Sequence, residues 1–499
     1  MKKRYGLRFS VASVLLAASV AFSSVVMASA DTKEIAPGVK YEKFSQDGTN
    51  FNTIEFKPGG KLKIVGGMSN GYVWGTQNVL GMAQDVENDP EIEGEVIAAM
   101  NGDFFTMSTS GNPRANDYGV PYSAFISGGK ILAVYNHVWG GSINRIAVGV
   151  KADGTAVYGT NPAMTITGKV NGSTELDITY INRARPHDGV TDTGYIWPVD
   201  QLILYTPDYY SSTKTNAGGV EVKVMVSEMD VCHGGKIVGV VEGSPSTAGD
   251  MEIGEGYVVL SAMNGKKDDL QSLKDGDQIE ISISINDPDW QDVQFAIGGS
   301  VIAAEDGELS RYIDDPNDNY NASRSRTQVG IKEDGTMVWM TADEAGGSSG
   351  LTLREMTETM LERGCVTVIN LDGGGSTQFI GRNDDDTLSV WNTPMDGVDN
   401  ARHVANGIVL VYDENAEDLT SSVLSSSSSE TSDVSSQTSG GGTVSTSSIA
   451  STPASTANPG TGDGGARMML FVAAAMIVLS GGFIVVNLVD YKQKRKSDK

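Results

Sequence analysis

The feature that most constrains the fold of this chain is an eleven-residue pattern that occurs twice. Residues 148–158 read Val-Gly-Val-Lys-Ala-Asp-Gly-Thr-Ala-Val-Tyr, and residues 329–339 read Val-Gly-Ile-Lys-Glu-Asp-Gly-Thr-Met-Val-Trp. In both copies apolar residues flank an Asp-Gly pair, which is typical of a β-hairpin with a tight turn. We predict a duplicated β-unit packed with approximate two-fold symmetry. Convergence of two unrelated hairpins on similar sequences is the alternative.

The residues that precede the two copies are also alike. A glycine-containing hairpin is predicted before each copy, at residues 127–132 and at residues 305–309. An arginine lies three residues before each copy begins, at Arg145 and at Arg326. The similarity therefore extends beyond the turn itself, as expected of a duplicated unit.

The rest of the folded region adds more strands and two helices. Alternating apolar residues predict strands at 220–230, 236–242, 257–262 and 278–285, with a further strand at 95–100. One helix is expected from about Thr76 to Val86, and another from Leu353 to about Arg363, which Thr352 and Glu355 begin with a capping box. We expect an α+β fold: β-rich mixed sheets with a few packed helices, built from residues 31–159 and 290–415 and interrupted by a β-rich inserted subdomain at 160–289.

The N-terminal end indicates export. Residues 1–30 combine a basic start, a long apolar stretch and the small residues Ala28-Ser29-Ala30, which is the pattern of a secretory signal peptide. We therefore place the protein outside the cell and exclude this segment from the fold.

The C-terminal end indicates surface anchoring. Residues 416–467 form a Ser/Thr/Gly-rich linker, residues 468–489 are apolar enough to span a bilayer, and residues 490–499 form a basic cytoplasmic tail. The pentapeptide at 458–462, Asn-Pro-Gly-Thr-Gly, resembles a Gram-positive sortase signal, with Asn in place of the usual Leu. Sortase processing would link Thr461 to peptidoglycan. A simple membrane anchor is the alternative.

Composition excludes several classes of partner. The formal net charge of −26 argues against nucleic acid, whose binding depends on Lys and Arg.

Cys232 and Cys365 are the two cysteines, so no disulfide framework is expected, and Cys365 beside an apolar run suggests a buried thiol. No cofactor is expected, and no His or Cys spacing suggests zinc. The acid-rich stretch at 314–319 could bind a structural Ca²⁺, with a solvated loop as the alternative.

The strongest functional motif is the run Val-Ile-Asn-Leu-Asp-Gly-Gly-Gly-Ser-Thr-Gln at residues 368–378. The apolar residues predict a buried strand that delivers Asp372 to the edge of a sheet. The glycines that follow allow close approach of the backbone to a ligand, and successive free N–H groups could form an anion-binding nest. A plain turn from strand to loop is the alternative.

Three other clusters place polar residues at the rims of apolar strands, where sites are usually built. Asn101 and Asp103 belong to the sequence Asn-Gly-Asp-Phe-Phe at 101–105, and Arg326 begins a strand. The third cluster, at 400–408, contains Arg402, His403 and Asn406.

In this order, the four clusters resemble the phosphodiester glycosidase family. The resemblance includes Asn-Gly-Asp-Phe-Phe at 101–105, Arg-Thr-Gln-Val-Gly at 326–330, Leu-Arg-Glu-Met at 353–356 and Ile-Asn-Leu-Asp-Gly-Gly-Gly-Ser at 369–376. It also includes Arg402 and the strand after it. Gln328 departs from the family pattern, as does Gly-Gly-Ser at 298–300, and we expect both departures to affect the choice of substrate more than activity.

The resemblance implies hydrolysis of the bond between an anomeric carbon and a phosphate oxygen in a sugar-1-phosphate diester. It assigns catalytic roles to Asp372, Asp103 and Arg326, with the two carboxylates available as base or nucleophile. Substrate or phosphate binding falls to a larger set: Asn101, Glu355, Gly373, Gly374, Gly375, Ser376, Thr377, Arg402, His403 and Asn406. The implied partner is a glycan or sugar phosphate as substrate, and the separate resemblance of residues 458–462 to a sortase signal adds sortase and peptidoglycan as partners at the cell surface.

Each assignment has a structural alternative. Asp372 could cap its turn or bind a structural cation, Asp103 could be a turn residue, and Arg326 could pair with an acid on an adjacent strand. Glu355 already has a role in the capping box, and a lone histidine such as His403 is more often structural than functional. At the level of the whole protein, the alternatives to the enzyme are a non-catalytic glycan- or phosphate-binding surface protein and a cell-surface spacer.

Overall fold

The computed structural model describes residues 31–105, 118–134, 146–185, 200–314 and 318–417. The predicted signal peptide, linker, membrane span and basic tail lie outside these residues, as do Arg145 and the side chains of 314–319. No helix in the described ranges is long and apolar enough to cross a membrane.

Strands dominate the described residues, and four α-helices accompany them, so the predicted β-rich α+β class is confirmed. The strands of the first half are β1 (Asp31–Ala36), β2 (Val39–Gln46), β3 (Thr49–Phe56), β4 (Leu62–Met68), β5 (Glu95–Asn101), β6 (Phe125–Ser127), β7 (Lys130–Ala133), β8 (Ile146–Lys151), β9 (Ala156–Thr160), β10 (Met164–Val170), β11 (Thr174–Ile178), β12 (Tyr180–Ile181) and β13 (Gln201–Tyr205). Those of the second half are β14 (Val220–Met229), β15 (Lys236–Ser246), β16 (Tyr257–Met263), β17 (Gln278–Ile285), β18 (Val293–Gly299), β19 (Val301–Glu305), β20 (Glu308–Leu309), β21 (Arg326–Lys332), β22 (Met337–Ala342), β23 (Cys365–Asn370), β24 (Phe379–Arg382), β25 (Leu388–Val390) and β26 (Asn406–Tyr412). The helices are α1 (Val79–Glu87), α2 (Lys267–Gln271), α3 (Asp318–Asn321) and α4 (Leu353–Glu362).

The strands form four sheets. One eight-stranded sheet has the order β1-β2-β3-β22-β21-β23-β19-β20, and a second has the order β11-β10-β17-β15-β14-β16-β13-β12. Two five-stranded sheets have the orders β7-β6-β18-β8-β9 and β25-β24-β5-β26-β4. The sheets are predominantly antiparallel, so short turns suffice to connect many of the neighbouring strands.

The predicted duplication is visible in the sheet order. The two repeated sequences form the hairpins β8–β9 and β21–β22, and the preceding hairpins are β6–β7 and β19–β20. In both units a later strand, β18 or β23, lies between the two hairpins and pairs antiparallel with both. Val148 and Val150 of one unit pack in the same apolar core as Val329 and Ile331 of the other. Two similar β-units therefore face each other across one core.

The two predicted helices form, with one shift in position. Helix α4 begins after Thr352, whose side chain accepts a hydrogen bond from the Glu355 N–H while the Glu355 carboxylate accepts one from the Thr352 N–H, so the capping box is confirmed. Helix α1 begins at Val79, later than expected, because Asn78 is its N-cap. Gln77 instead exchanges two backbone hydrogen bonds with Val404 and cannot join the helix.

The four strands predicted within the insertion correspond to β14–β17. They join β10–β13 in an eight-stranded sheet of their own, whose core also includes Ile126 and Ala296 from the neighbouring five-stranded sheet. This shared core ties the inserted sheet to one of the duplicated units. The domain boundaries at 159/160 and 289/290 stay a prediction.

Candidate active site

Three sheets contribute residues to the region around Asp372. The N–H of Asp372, after β23, donates to the carbonyl of Gly102, after β5, over 3.1 Å. The N–H of Gly102 donates in turn to the carbonyl of Asn406, the first residue of β26, over 3.0 Å. A Cβ at Gly102 would overlap Ile297 of β18 as well as the Asn406 side chain. Glycine at 102 therefore allows these strand ends to meet.

The Asn101 side chain joins the strand ends from within the protein. Its Nδ2 donates to the Asp372 carbonyl over 2.8 Å, and its Oδ1 accepts from the Thr327 hydroxyl over 2.9 Å and from the Gln378 N–H over 3.2 Å. Only 1% of Asn101 is exposed. The Asn101 side chain therefore holds these strand ends together, and its predicted contact with substrate stays a prediction.

Asp372 is a half-buried carboxyl with a strongly raised pKa. Its Oδ1 accepts from the Gly373 N–H over 2.9 Å, and its carboxyl also bonds to the Ser376 side chain. Burial raises the pKa of Asp372 to about 7, and the negative charge of Asp103 adds to this effect. The hydrogen bonds from Ser376 and Gly373, and the charge of Arg402, oppose it without cancelling it. Asp372 can therefore gain and lose a proton near neutral pH.

The backbone of the glycine loop is not the open anion nest that the sequence suggested. The N–H of Gly373 is bound by the Asp372 carboxylate, and the N–H of Gly374 donates to the Ser325 carbonyl over 2.7 Å. The N–H groups of Ser376 and Thr377 donate back into the same loop. These hydrogen bonds keep the loop in a tight turn, so its amides are largely committed within the protein.

The glycine loop instead makes room for a cation. A Cβ at Gly375 would overlap the Arg402 guanidinium, which therefore lies directly against the backbone of the loop. Arg402 is 35% exposed and its Nε pairs with Asp396 at 3.3 Å. The guanidinium also lowers the pKa of the Asp372 carboxyl, so the two charges interact. Gly375 and Arg402, both predicted as binding residues, are brought together with Asp372.

Asp103 is buried beside Asp372 and held by backbone amides. Its Oδ1 accepts from its neighbour Phe104 over 2.7 Å, and its Oδ2 accepts from the N–H of Ser123 over 2.6 Å. The N–H of Asp103 itself donates to Asn406 Oδ1 over 2.9 Å. A Cβ at Gly298 would overlap the Asp103 carboxylate, so glycine is needed there. Asn406 therefore positions Asp103, and Asp103 acts on Asp372 through its charge.

Arg326 has a different environment from the one expected. Its guanidinium donates to the carbonyls of Leu351 over 2.9 Å, Ala322 over 2.6 Å and Tyr320 over 3.3 Å. Adjacent side chains in a strand face opposite ways, so Arg326 leaves the sheet on the face opposite to Thr327, which contacts Asn101. Burial lowers the pKa of Arg326 to about 10. These hydrogen bonds hold loops together, and the predicted catalytic role of Arg326 stays a prediction.

The remaining predicted residues divide between the loop and the surface. Ser376 and Thr377 are buried in the loop, and Thr377 accepts a hydrogen bond from Thr327. Glu355 is exposed and engaged in the helix cap, and His403 is exposed. Gln328 contacts Thr357 of α4 rather than the loop, so this departure from the family pattern affects helix packing.

Several residues with positioning roles were not singled out from the sequence. Gln378 donates to the Arg402 carbonyl over 2.8 Å and accepts from the N–H of Val79, which fixes the loop to helix α1. Ser123 holds Asp103, and Gly298 makes space for it. The Gly-Gly-Ser sequence at 298–300 was the one available signal, because glycines at a strand end indicate close backbone approach.

The described residues contain no cluster of three or more His, Cys, Asp or Glu side chains able to hold a metal ion. Both cysteines are unpaired, and burial raises the pKa of the Cys365 thiol to about 12, as expected of a structural thiol.

We predict that Gly375→Ala displaces Arg402 without disrupting the fold. Position 375 has no positive φ, so the added methyl group causes a local collision with the guanidinium rather than backbone strain. Gly374→Ala is the matched control, because φ there is +59° but no atom lies within 4 Å of the added Cβ. A crystal structure of each variant should show Arg402 moved in the first and in place in the second. An unmoved Arg402 in Gly375→Ala would contradict the assigned contact.

We also predict that the two arginines contribute unequally to the free energy of unfolding. Arg326→Met should lower the free energy of unfolding by about 2 kcal/mol, because buried carbonyls lose their donor. Arg402→Met should change it by less than about 1 kcal/mol, because both members of its ion pair are partly exposed to solvent, which screens the interaction. Denaturant unfolding of the two variants measures both values, and a loss below about 1 kcal/mol in Arg326→Met would show that the guanidinium of Arg326 is not structural.

Comparison with known proteins agrees with the resemblance but covers part of the chain. The family model for phosphodiester glycosidases matches residues 231–411. Mouse and human N-acetylglucosamine-1-phosphodiester alpha-N-acetylglucosaminidase are each 36% identical over 76 residues, which is 15% of this chain and 13% of theirs. An uncharacterized SPbeta prophage-derived protein of Bacillus subtilis is 41% identical over 59 residues, 12% of this chain and 9% of its own. The chain thus matches about an eighth of the length of the two enzymes.

Solved structures show the same fold over a longer stretch. A hypothetical protein from Synechocystis has a TM-score of 0.53 with 16% identity, and the match covers 77% of this chain and 64% of that one. An exported protein of Burkholderia pseudomallei has a TM-score of 0.51 with 17% identity, over 73% of this chain and 74% of that one. At such identities the likeness is one of fold. Residues 231–411, which include the Asp372 loop and Arg402, carry the sequence pattern of the phosphodiester glycosidase family.

Proposed function

We propose that this protein hydrolyses the bond between the anomeric carbon and the phosphate oxygen of a sugar-1-phosphate diester. One observation carries the proposal: the loop that holds the Asp372 carboxyl also receives the Arg402 guanidinium against Gly375. A cation suited to phosphate and a carboxyl suited to the reacting carbon thus interact at one loop. The family match of residues 231–411, and the activity after which the mouse and human relatives are named, favour this bond over an ordinary glycosidic bond.

Arg402 is the residue assigned to the phosphate. Its ion pair with the half-exposed Asp396 uses Nε, so the two terminal nitrogens can bind phosphate oxygens in a bidentate manner. The net charge of −26 repels an anionic substrate at long range, which makes a local cation necessary. Because the loop amides are largely committed, the phosphate charge must be met mainly by this side chain.

Asp372 is the residue assigned to the anomeric carbon, as a general base for water or as a nucleophile. A carboxyl with a pKa of about 7 accepts protons effectively at neutral pH. The leaving group is a phosphate monoester, which departs without protonation more readily than a sugar hydroxyl. A general acid is therefore less needed than in an ordinary glycosidase. Asp103 contributes its charge, which helps to keep the pKa of Asp372 high.

A non-catalytic glycan- or phosphate-binding protein on the same fold is the second candidate. This candidate is favoured because both Asp103 oxygens already accept backbone hydrogen bonds. Of the two carboxyls proposed for catalysis, Asp372 is therefore the more available one. This candidate predicts binding of a sugar-1-phosphodiester without release of free sugar.

We further propose that the protein acts at the cell surface, on sugar-phosphate linkages in cell-wall polymers, exopolysaccharide or host glycans. This rests on the signal pattern at 1–30 and the linker, sorting pentapeptide, apolar span and basic tail from 416 onward. Sortase and peptidoglycan would be its partners. Mass spectrometry of the protein released from cell walls tests this, since sortase processing requires a C-terminal residue at Thr461.

We predict that Asp372→Asn lowers kcat for a methyl sugar-1-phosphodiester by about 10²–10⁴-fold, because the amide cannot act as base or nucleophile. Arg402→Met should raise KM and lower kcat, and Arg402→Lys should restore only part of the loss because it lacks the fork of two donors. The measurement is release of free sugar by the full chain. Unchanged release in Asp372→Asn would refute the catalytic assignment.

We predict that kcat/KM rises with pH through an apparent pKa of about 7, because Asp372 must be ionised to react. In Asp103→Asn the removal of a neighbouring negative charge lowers the pKa of Asp372, so the rise in kcat/KM should move to lower pH.

We predict the opposite trend with pH for the contribution of Asp372 to the free energy of unfolding. The folded-state pKa is raised above the unfolded value, so this group's contribution is complete below about pH 4 and is lost as pH rises through about 7. Unfolding of wild type against Asp372→Asn across this range measures it.

A further inference from the structure

A cluster of aromatic side chains with one lysine lies apart from the Asp372 loop. We call it the aromatic patch, and it consists of Tyr72, Trp74, Tyr118, Tyr210 and Lys214, all half-buried. The ring of Trp74 lies 4.8 Å from that of Tyr210 and 6.4 Å from that of Tyr118, and Tyr72 lies 5.1 Å from Tyr210. The patch therefore gathers four half-buried rings within one small area.

Lys214 places its ammonium over this patch. The Nζ atom lies 4.5 Å from the centre of the Tyr210 ring and 5.3 Å from that of Trp74, within the range of a cation–π interaction. Among the described residues, no carboxylate forms an ion pair with it. An ammonium stabilised by ring faces alone keeps its capacity to bind an anion.

The backbone around Lys214 is rigid and strained. Its φ is +51°, a left-handed conformation that is unfavourable for a residue other than glycine. The flanking Thr213 and Thr215 are buried, and their hydroxyls bond to each other over 3.1 Å. Thr215 also donates to Glu221, and Thr213 accepts from the N–H of Met251. These bonds hold the strained residue, which fixes where the lysine side chain leaves the surface.

The patch is connected to the segments that carry two of the charged residues of the candidate active site, Arg402 and Asp103. The Tyr118 hydroxyl bonds to that of Thr76 over 3.0 Å, and Gln77 next to it exchanges two backbone hydrogen bonds with Val404, two residues after Arg402. On the other side, the segment after Tyr118 pairs with Phe105, two residues after Asp103. The patch also bridges to the inserted sheet, because the Trp74 N–H donates to the Tyr209 carbonyl over 3.0 Å.

We propose that the aromatic patch is a subsite for a second sugar-phosphate unit of the substrate. The inference rests on the proposed function and deepens it, because it makes the substrate an anionic glycan with repeated sugar phosphates rather than a small diester. Tyrosine and tryptophan rings offer an apolar face and a polar edge, which suits the mixed surface of a sugar. The Lys214 ammonium supplies a charge for the phosphate that follows. The contact between the inserted sheet and the loop that precedes helix α1 would then serve to form this subsite.

Two probes of one sugar test the proposal on the full chain. One is a synthetic tetramer of N-acetylglucosamine joined by 1-phosphodiester bonds, and the other is the methyl phosphodiester of the single sugar. The variants are Trp74→Ala and Lys214→Gln, with Lys223→Gln as matched control. Lys223 also lies over a tyrosine ring, with its Nζ 4.2 Å from the centre of Tyr257, but outside the patch. Binding of the tetramer, of chitotetraose and of inorganic polyphosphate is measured separately by calorimetry in the Asp372→Asn background.

We expect wild type to prefer the tetramer over the methyl diester in kcat/KM. Trp74→Ala and Lys214→Gln should each lower this preference by about tenfold, mainly through KM, while Lys223→Gln should not. In the Asp372→Asn background both patch substitutions should weaken tetramer binding by a similar factor. Lys214→Gln should leave the weaker binding of neutral chitotetraose unchanged. Polyphosphate binding as tight as that of the tetramer would show that the patch recognises charge alone.

The outcomes separate the two proposals. Cleavage of both probes with a preference and a binding affinity that the patch variants do not alter would overturn the subsite alone. Cleavage of neither probe, with tetramer binding that still depends on Trp74 and Lys214, would overturn the hydrolase and leave the binding site. A loss of Tm in a patch variant that affects both probes equally would assign the patch to stability, and this also overturns the subsite.

Discussion

The site depends on the Asn101 side chain, because this one buried amide joins strand ends that belong to different sheets. It bonds to the Asp372 carbonyl, the Thr327 hydroxyl and the Gln378 N–H. A buried amide with satisfied hydrogen bonds costs little, whereas any partner left alone would be penalised by desolvation. The ends of β5, β21 and β23 are therefore held in one relative position, and the geometry of the glycine loop follows from it.

In the glycine loop, the absence of a Cβ, rather than a set of free backbone amides, brings a charged group to the site. Its N–H groups are largely used to fold the loop, and the missing Cβ of Gly375 is what admits Arg402. The guanidinium then lies close enough to lower the pKa of Asp372, but burial and Asp103 act more strongly in the other direction. The balance gives a carboxyl that titrates near neutrality beside a cation that is partly open to solvent.

The duplicated β-units have diverged at equivalent strand ends. Strand β23 leads into Asp372 and the glycine loop, and strand β18 ends in Gly298 and Gly299. The first leads to the Asp372 carboxyl, while the second supplies space, because only glycine at 298 accommodates the Asp103 carboxylate. One copy thus leads to the Asp372 carboxyl, and the other leaves the space in which the Asp103 carboxylate is held.

The sequence by itself determined the β-rich class, the repeated hairpins, the capping box of α4 and the motif around Asp372. These depend on local periodicity, turn residues and capping, which are readable along the chain. Only the tertiary structure decided which polar residues act together. Arg326 and Arg402 look equally suited to phosphate in the sequence, but strand alternation turns Arg326 towards buried carbonyls, and the missing Cβ at Gly375 brings Arg402 to Asp372. Whether an amide is free or already bonded, and which group a side chain meets, depends on partners in other elements of the fold, and no local pattern encodes them.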